Sequence, residues 1–177
     1  ELRVTREGPL PGQTLAELDA QRDLISVLIP CEDGHAQVRA LLPGLLERIR
    51  AMTVTVADRN FCTTQFLFGI ARQLAYFIIP HDASTLTWKL IGRRKRIGRI
   101  ETGVVFEQEI ELAQGKETWR IRRITIQLDT PTENGDTEIH LLTNLPKKVA
   151  EARKVAGLYR GRWTIEGAFQ TLTEVLR

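Results

Sequence analysis

Met52-Thr53-Val54-Thr55-Val56-Ala57-Asp58-Arg59-Asn60-Phe61 is the stretch on which the fold turns. Its first six residues, rich in β-branched side chains, predict a short buried strand that ends at Asp58. Residues 63–73 then read as a helix and 75–79 as a second buried strand, closed by Pro80. Upstream, Val38, Leu41, Leu42, Leu45, Leu46 and Ile49 recur at helical spacing. Residues 14–18 and 24–29 flank a polar turn at 19–23 and predict a hairpin, which Pro30 stops. The order strand-helix-strand-helix-strand predicts an α/β core with a mostly parallel sheet.

The pattern changes after Leu86. Apolar and polar residues alternate at period two in Ile110-Glu111-Leu112, Trp119-Arg120-Ile121-Arg122 and Ile124-Thr125-Ile126-Gln127-Leu128. Gln114-Gly115-Lys116 and Asn134-Gly135-Asp136 mark turns. These features predict an antiparallel β unit inserted into the α/β chain, with His140-Leu141-Leu142-Thr143-Asn144 as its return strand. Pro146 opens a helical region that runs to the end of the sequence, with a break expected near Gly157 or Gly161.

Of the 177 residues, 42% are hydrophobic and 27% charged, a globular profile that excludes a disordered tail. No uncharged run is long enough to span a bilayer, so no membrane partner is expected. The sequence opens Glu-Leu-Arg with no initiator Met and no signal-peptide pattern, which reads as a fragment or a trimmed chain. Cys31 and Cys62 are too few for a disulfide framework or a four-ligand zinc site, and they suggest small buried residues in a reducing cytosol.

Charge is unevenly spread. Residues 89–126 carry ten basic and five acidic side chains, net +5. Residues 127–145 are net −4, residues 146–177 net +4, and the whole chain only +3. Such patches suggest an anionic partner on one surface and a cation site on another, against the alternative of accidental clustering on a solvated surface.

Two carboxylates stand out. Asp58, at the carboxyl end of a buried strand, sits where open α/β sheets bind ligands, although a helix-capping Asp is common at the same junction. Glu166 follows Tyr159 and Arg162 at offsets that place all three on one helix face. Arg and Tyr contact phosphates, and a carboxylate beside them could hold Mg²⁺; an exposed Arg–Glu pair is the bland alternative.

The turn Asp58-Arg59-Asn60-Phe61 after a buried strand, the β insertion, Leu141-Leu142-Thr143-Asn144-Leu145-Pro146 and Tyr-x₂-Arg-x₃-Glu at 159–166 together resemble the DDE transposases of bacterial insertion sequences. The group in question has the signature Y-x₂-R-x₃-E-x₆-K. Leu10-Pro11-Gly12 and residues 31–37 also look like that family. The resemblance covers essentially the whole chain. It implies an RNase H-like α/β core with an antiparallel β insertion before the C-terminal helix. Residues 1–81 would form the first part of the core, 82–145 the insertion, and 146–177 the helices that bear the signature.

The implied activity is DNA strand cleavage and transfer at transposon ends by two-metal phosphoryl transfer, with two Mg²⁺ or Mn²⁺ ions about 3.5–4 Å apart. Asp58 and Glu166 would be catalytic metal ligands. Two departures stand. The family's first Asp lies upstream of the Leu-Pro-Gly stretch, so the chain is expected to be an N-terminally truncated catalytic fragment, inactive alone. The signature's Lys position is Thr173.

The resemblance assigns Tyr159 and Arg162 to DNA. Arg93, Arg94, Lys95 and Arg96 are candidate phosphate contacts in a turn-like run, or a solvated hairpin turn. Trp88 and Trp119 are candidates for stacking on bases, or core; His140 lies near where the family places a stacking aromatic. Glu32, Asp33 and His35 could suggest a metal site but more simply brace a loop. Expected partners are double-stranded DNA, both transposon ends and target, and a second copy in a homodimeric synaptic complex, in a bacterial cytoplasm at the nucleoid. A non-catalytic DNA-binding remnant of a transposase is the alternative; a structural α/β protein is the third reading.

Overall fold

The computed structural model describes residues 18–19, 24–25, 38–132 and 134–161. The expectations placed on Cys31, Glu32, Asp33, His35, Arg162, Glu166 and Thr173 lie outside the described residues.

The predicted hairpin is present as Leu18–Asp19 (β1) paired antiparallel with Leu24–Ile25 (β2). The helix predicted from its apolar spacing spans Val38–Leu46 (α1). Helix α2 spans Thr64–Arg72 and starts where the Thr63 hydroxyl accepts the Phe66 N–H at 3.3 Å, a cap contributing about 1 kcal/mol. It buries Phe66, Leu67, Phe68 and Ile70, against which Leu42 and Leu45 of α1 pack.

Strand Val54–Val56 (β3) is shorter than predicted. Met52 has a left-handed φ of 64° and is 74% exposed, so it belongs to the turn before the strand. Strand Tyr76–Pro80 (β4) runs parallel to β3, with Val54 opposite Tyr76 and Val56 opposite Ile78, and α2 makes the crossover between them.

The expected mostly parallel sheet is not what the chain builds. Thr87–Ile100 (β5), Gly103–Gln114 (β6), Glu117–Leu128 (β7) and Glu138–Thr143 (β8) add to the sheet in the order β3-β4-β8-β7-β6-β5. Among the described residues β3–β4 is the one parallel pair. The physical reason lies in β8. It lies antiparallel against β4, Ile79 opposite Leu142, so the inserted hairpins continue the core sheet through short turns.

Alternation along the strands divides the core between the two faces of the sheet. Phe77, Ile79, Ile110, Leu112, Ile121 and Leu142 pack with α1 and α2. Ile78, Val105, Ile124, Ile126 and Leu141 pack on the other face with Ala152–Arg160 (α3), which contributes Ala152, Val155, Ala156 and Tyr159. Among the described residues the result is a mixed α/β fold with a six-stranded, mostly antiparallel sheet, consistent with an RNase H-like core.

Candidate functional site

Asp58 lies two residues past β3, at the carboxyl end of the parallel pair. The Ala57 N–H bonds to the Ile78 carbonyl at 3.3 Å, tying this end of β3 to β4. Asp58 then caps a 3₁₀ turn, Arg59–Phe61: its Oδ1 accepts the Asn60 N–H at 2.6 Å. Asp58 thus performs the capping role that the sequence offered as one of its two readings. Phe61 is buried and anchors the turn, whereas Arg59 and Asn60 face solvent.

The loop after β4 is stitched to this turn. Asp82 N–H donates to Cys62 Sγ at 3.3 Å, Thr85 donates its hydroxyl to the Cys62 carbonyl, and Thr64 donates to the Thr85 carbonyl at 3.4 Å. Cys62 is fully buried, as expected. Asp58 and Asp82 are both half-buried; Asp82 turns its Oδ1 to the Ser84 N–H and hydroxyl. Among the described residues no three His, Cys, Asp or Glu side chains converge as a metal site. Asp58 thus fits one ligand position for a divalent ion, and any further carboxylate must come from elsewhere.

A polar cluster starts at His81 in this loop and lies on the α1/α2 face of the sheet. His81 N–H donates to the His140 carbonyl at 2.7 Å, and the His81 ring meets Trp88 edge-on at 4.5 Å. His140 Nδ1 lies 3.0 Å from the Thr125 hydroxyl and its Nε2 3.6 Å from Glu138. The Arg123 guanidinium lies over Trp88 at 5.6 Å. Burial first, and the Arg123 charge second, push both His81 and His140 down to about 4. Glu138 is held below the usual carboxylate range by its hydrogen bond from Arg94, at 2.7 Å. His140 is thus a neutral, half-buried group on this face of the sheet near pH 7.

Three sequence readings gain detail. Trp119 meets Phe68 at 5.6 Å and Phe77 at 6.0 Å, both edge-on, and packs half-buried against the α1/α2 core, the alternative held open beside base stacking. Tyr159 is 7% exposed on the buried side of α3, packed under the sheet, so its ring anchors the helix. The run Arg93-Arg94-Lys95-Arg96 is not a turn but part of β5, the edge strand.

That edge carries a wide bulge. Ile91 pairs with Glu109 and Lys95 with Glu107, so Gly92, Arg93 and Arg94 stand opposite Gln108 alone. Gly92 takes a left-handed φ of 70°, and its carbonyl accepts Gln108 Nε2 at 2.9 Å. Arg94 is committed to the polar cluster, stacked over Phe106 at 4.0 Å and paired with Glu138. Arg93, Lys95 and Arg96 remain exposed.

Sequence reasoning missed Arg122 and Asn144, which position the segment leading to α3. Arg122 pairs with Glu107 at 2.5 Å, both nearly buried, and donates to the carbonyls of Leu145 and Ala150 at 2.7 and 2.8 Å. Asn144 bridges to β4, and the Leu145 N–H donates to the Thr143 hydroxyl at 3.1 Å. The Leu-Leu-Thr-Asn-Leu-Pro run carried the signal for Asn144. For Arg122 the signal was an Arg in a strand beside a Glu-rich neighbour.

Comparison with known proteins bears on this arrangement. Residues 14–177 match the family model described as "Transposase DDE domain". The chain is also similar to "Putative transposase y4zB" of Sinorhizobium fredii (strain NBRC 101917 / NGR234), 31% identical over 128 residues. That alignment covers 69% of this chain and 33% of the relative, so the chain spans about a third of that protein's length.

Proposed function

The chain belongs to the DDE transposase family, and on that premise we propose that it is the catalytic stretch of a DNA transposase acting on double-stranded transposon ends and target. The observation that carries the proposal is Asp58, a half-buried carboxylate fixed by its own turn at the carboxyl end of the parallel pair β3–β4. Asp58 and Glu166 are the proposed catalytic ligands for two Mg²⁺ or Mn²⁺ ions. Divalent ions at such a site supply activation of the attacking oxygen and stabilisation of the leaving oxygen.

The chain's own residues hold and orient. The Asn60 N–H fixes one Asp58 oxygen. The Cys62–Thr85 and Cys62–Asp82 bonds tie the loop after β4 to the Asp58 turn. Tyr159 anchors α3, and Arg162, three residues on, is proposed to contact the DNA backbone. Arg93, Lys95 and Arg96 at the β5 edge are proposed phosphate contacts, and His140 a proposed DNA contact.

With two of three family carboxylates assigned, the 177-residue chain is proposed to bind DNA without cutting it. No helix among the described residues is long and apolar enough to cross a membrane; action at the bacterial nucleoid as a homodimer on paired ends belongs to the same proposal.

The test is incubation of the purified chain with supercoiled plasmid and Mg²⁺ or Mn²⁺. Binding without nicking is expected; nicking abolished by Asp58→Ala would show that a third ligand lies within the chain. A complete transposase that binds DNA yet never cuts it would favour the non-catalytic remnant.

A further inference from the structure

Basic side chains among the described residues divide into paired and unpaired ones. Lys89, Arg94, Arg99, Arg122 and Arg160 each face a carboxylate. Among the described residues, Arg93, Lys95, Lys148, Arg153 and Lys154 have no carboxylate within 4.0 Å. Unpaired cations left on a surface repel one another, and a polyanion relieves that repulsion.

These five residues line two adjoining depressions. One, of about 370 Å³, lies at the β5 bulge and is lined by Arg93 and Lys95 together with Arg122 and Lys147. The other, of about 500 Å³, lies between the end of β5 and the first turn of α3 and is lined by Lys148, Arg153 and Lys154 together with Arg99 and Lys147. Lys147 lines both, so the depressions form one path. Glu107, Glu109 and Glu151 also line the path, but Glu107 is already engaged by Arg122 and, at 3.6 Å, by Lys147.

Two features of β5 shape this path. The Gly92 bulge sets Arg93 out of register with the ladder. At Gly98 a Cβ would stand 3.2 Å from Arg153 Cδ, so the bare backbone leaves room for the arginine stem across the strand. The path lies on the α3 side of the sheet, opposite α1 and α2.

We infer that this path seats the phosphodiester backbone of duplex DNA, running from the β5 bulge over Lys147 to the first turn of α3. The inference rests on the transposase reading and adds to it a second contact surface, formed by the loop 144–151 and α3. Long basic side chains around an open groove grip phosphates without reading bases.

The test is fluorescence anisotropy of a short labelled duplex with the full chain across a salt titration. Each phosphate contact removed should lower the log–log salt slope by about 0.9. The pairs Arg93→Ala/Lys95→Ala, Lys147→Ala/Lys148→Ala and Arg153→Ala/Lys154→Ala should each lower it by about one to two units. The exposed pair Arg48→Ala/Lys116→Ala, away from the path, should leave it unchanged, with circular dichroism the same throughout. Unchanged slopes in all three path pairs, while the unaltered chain binds, would overturn the path and leave the transposase reading standing. An equal fall in the Arg48/Lys116 pair would overturn it too, as diffuse attraction. Preferential competition by single strands would remove the duplex assignment. No binding to any DNA at low salt would overturn the path and the transposase reading together.

Discussion

Asn144 completes the sheet beside Phe77: its side-chain oxygen accepts the Phe77 N–H at 2.9 Å while its amide donates to the Ala75 carbonyl at 2.8 Å. One side chain thus serves a backbone group of β4 and one of the residue just before it, at the point where β8 ends. Asn144→Leu leaves both groups unpaired in a half-buried setting and should cost about 2–3 kcal/mol. Asn144→Asp keeps the acceptor alone and should cost roughly half as much. Urea unfolding midpoints check this; equal midpoints for the leucine and aspartate variants would contradict it.

The Arg122–Glu107 pair, 11% and 12% exposed, is a buried charge pair that also ties down two loop carbonyls. Arg122→Met leaves Glu107 only the longer contact to Lys147, at 3.6 Å, and should destabilise the chain by about 3 kcal/mol. Adding Glu107→Leu should recover part of that loss, since the stranded charge goes but the carbonyls of Leu145 and Ala150 stay unserved. A double variant as unstable as the single one would place the whole effect in the loop.

His81 and His140 make the fold sensitive to acid. Both titrate near 4 in the folded chain, below the ordinary 6.5, because burial and the Arg123 charge disfavour the imidazolium. Arg94 also opposes protonation of His140, whereas Asp82 beside His81 and Glu138 beside His140 favour it. The unfolded chain therefore binds more protons between these values. This contribution to stability is fully present above about pH 6.5 and is lost as pH falls towards 4. Thermal melts at stepped pH should show the loss across that window, and His81→Gln with His140→Gln should flatten it.

The sequence announced some of this and hid the rest for physical reasons. Helices α1 and α2 and strand β4 were legible from apolar spacing and from Pro80, because local periodicity decides them. The alternation Trp119-Arg120-Ile121 already put Trp119 on the face of buried Ile121, so its core role was readable. Likewise Ala152, Val155, Ala156 and Tyr159 repeat at helical spacing, which marks Tyr159 as buried. The β5 bulge was not legible. An edge strand with charges on both faces has no alternation, and Gly92-Arg93-Arg94-Lys95-Arg96 looks the same as a polar turn. Nor did any local pattern announce that β8 would pair with β4. That choice rests on contacts such as Asn144 to Phe77, 67 residues apart.

Asp58 serves as both cap and proposed ligand, and two substitutions separate the roles. Asp58→Asn can still accept the Asn60 N–H and should leave stability nearly unchanged. Asp58→Ala loses the cap, at about 1 kcal/mol. Equal melting temperatures for the two variants would contradict the capping role.

The central claim, that Asp58 is a catalytic carboxylate, is tested most directly by metal-dependent strand cleavage in the complete transposase carrying this chain. With Mg²⁺ or Mn²⁺ and transposon-end duplex, the Asp58→Asn and Glu166→Gln proteins should bind the end as the unaltered protein does and cleave it at background rate. Cleavage that persists in the Asp58→Asn protein, with the fold intact, would contradict the account.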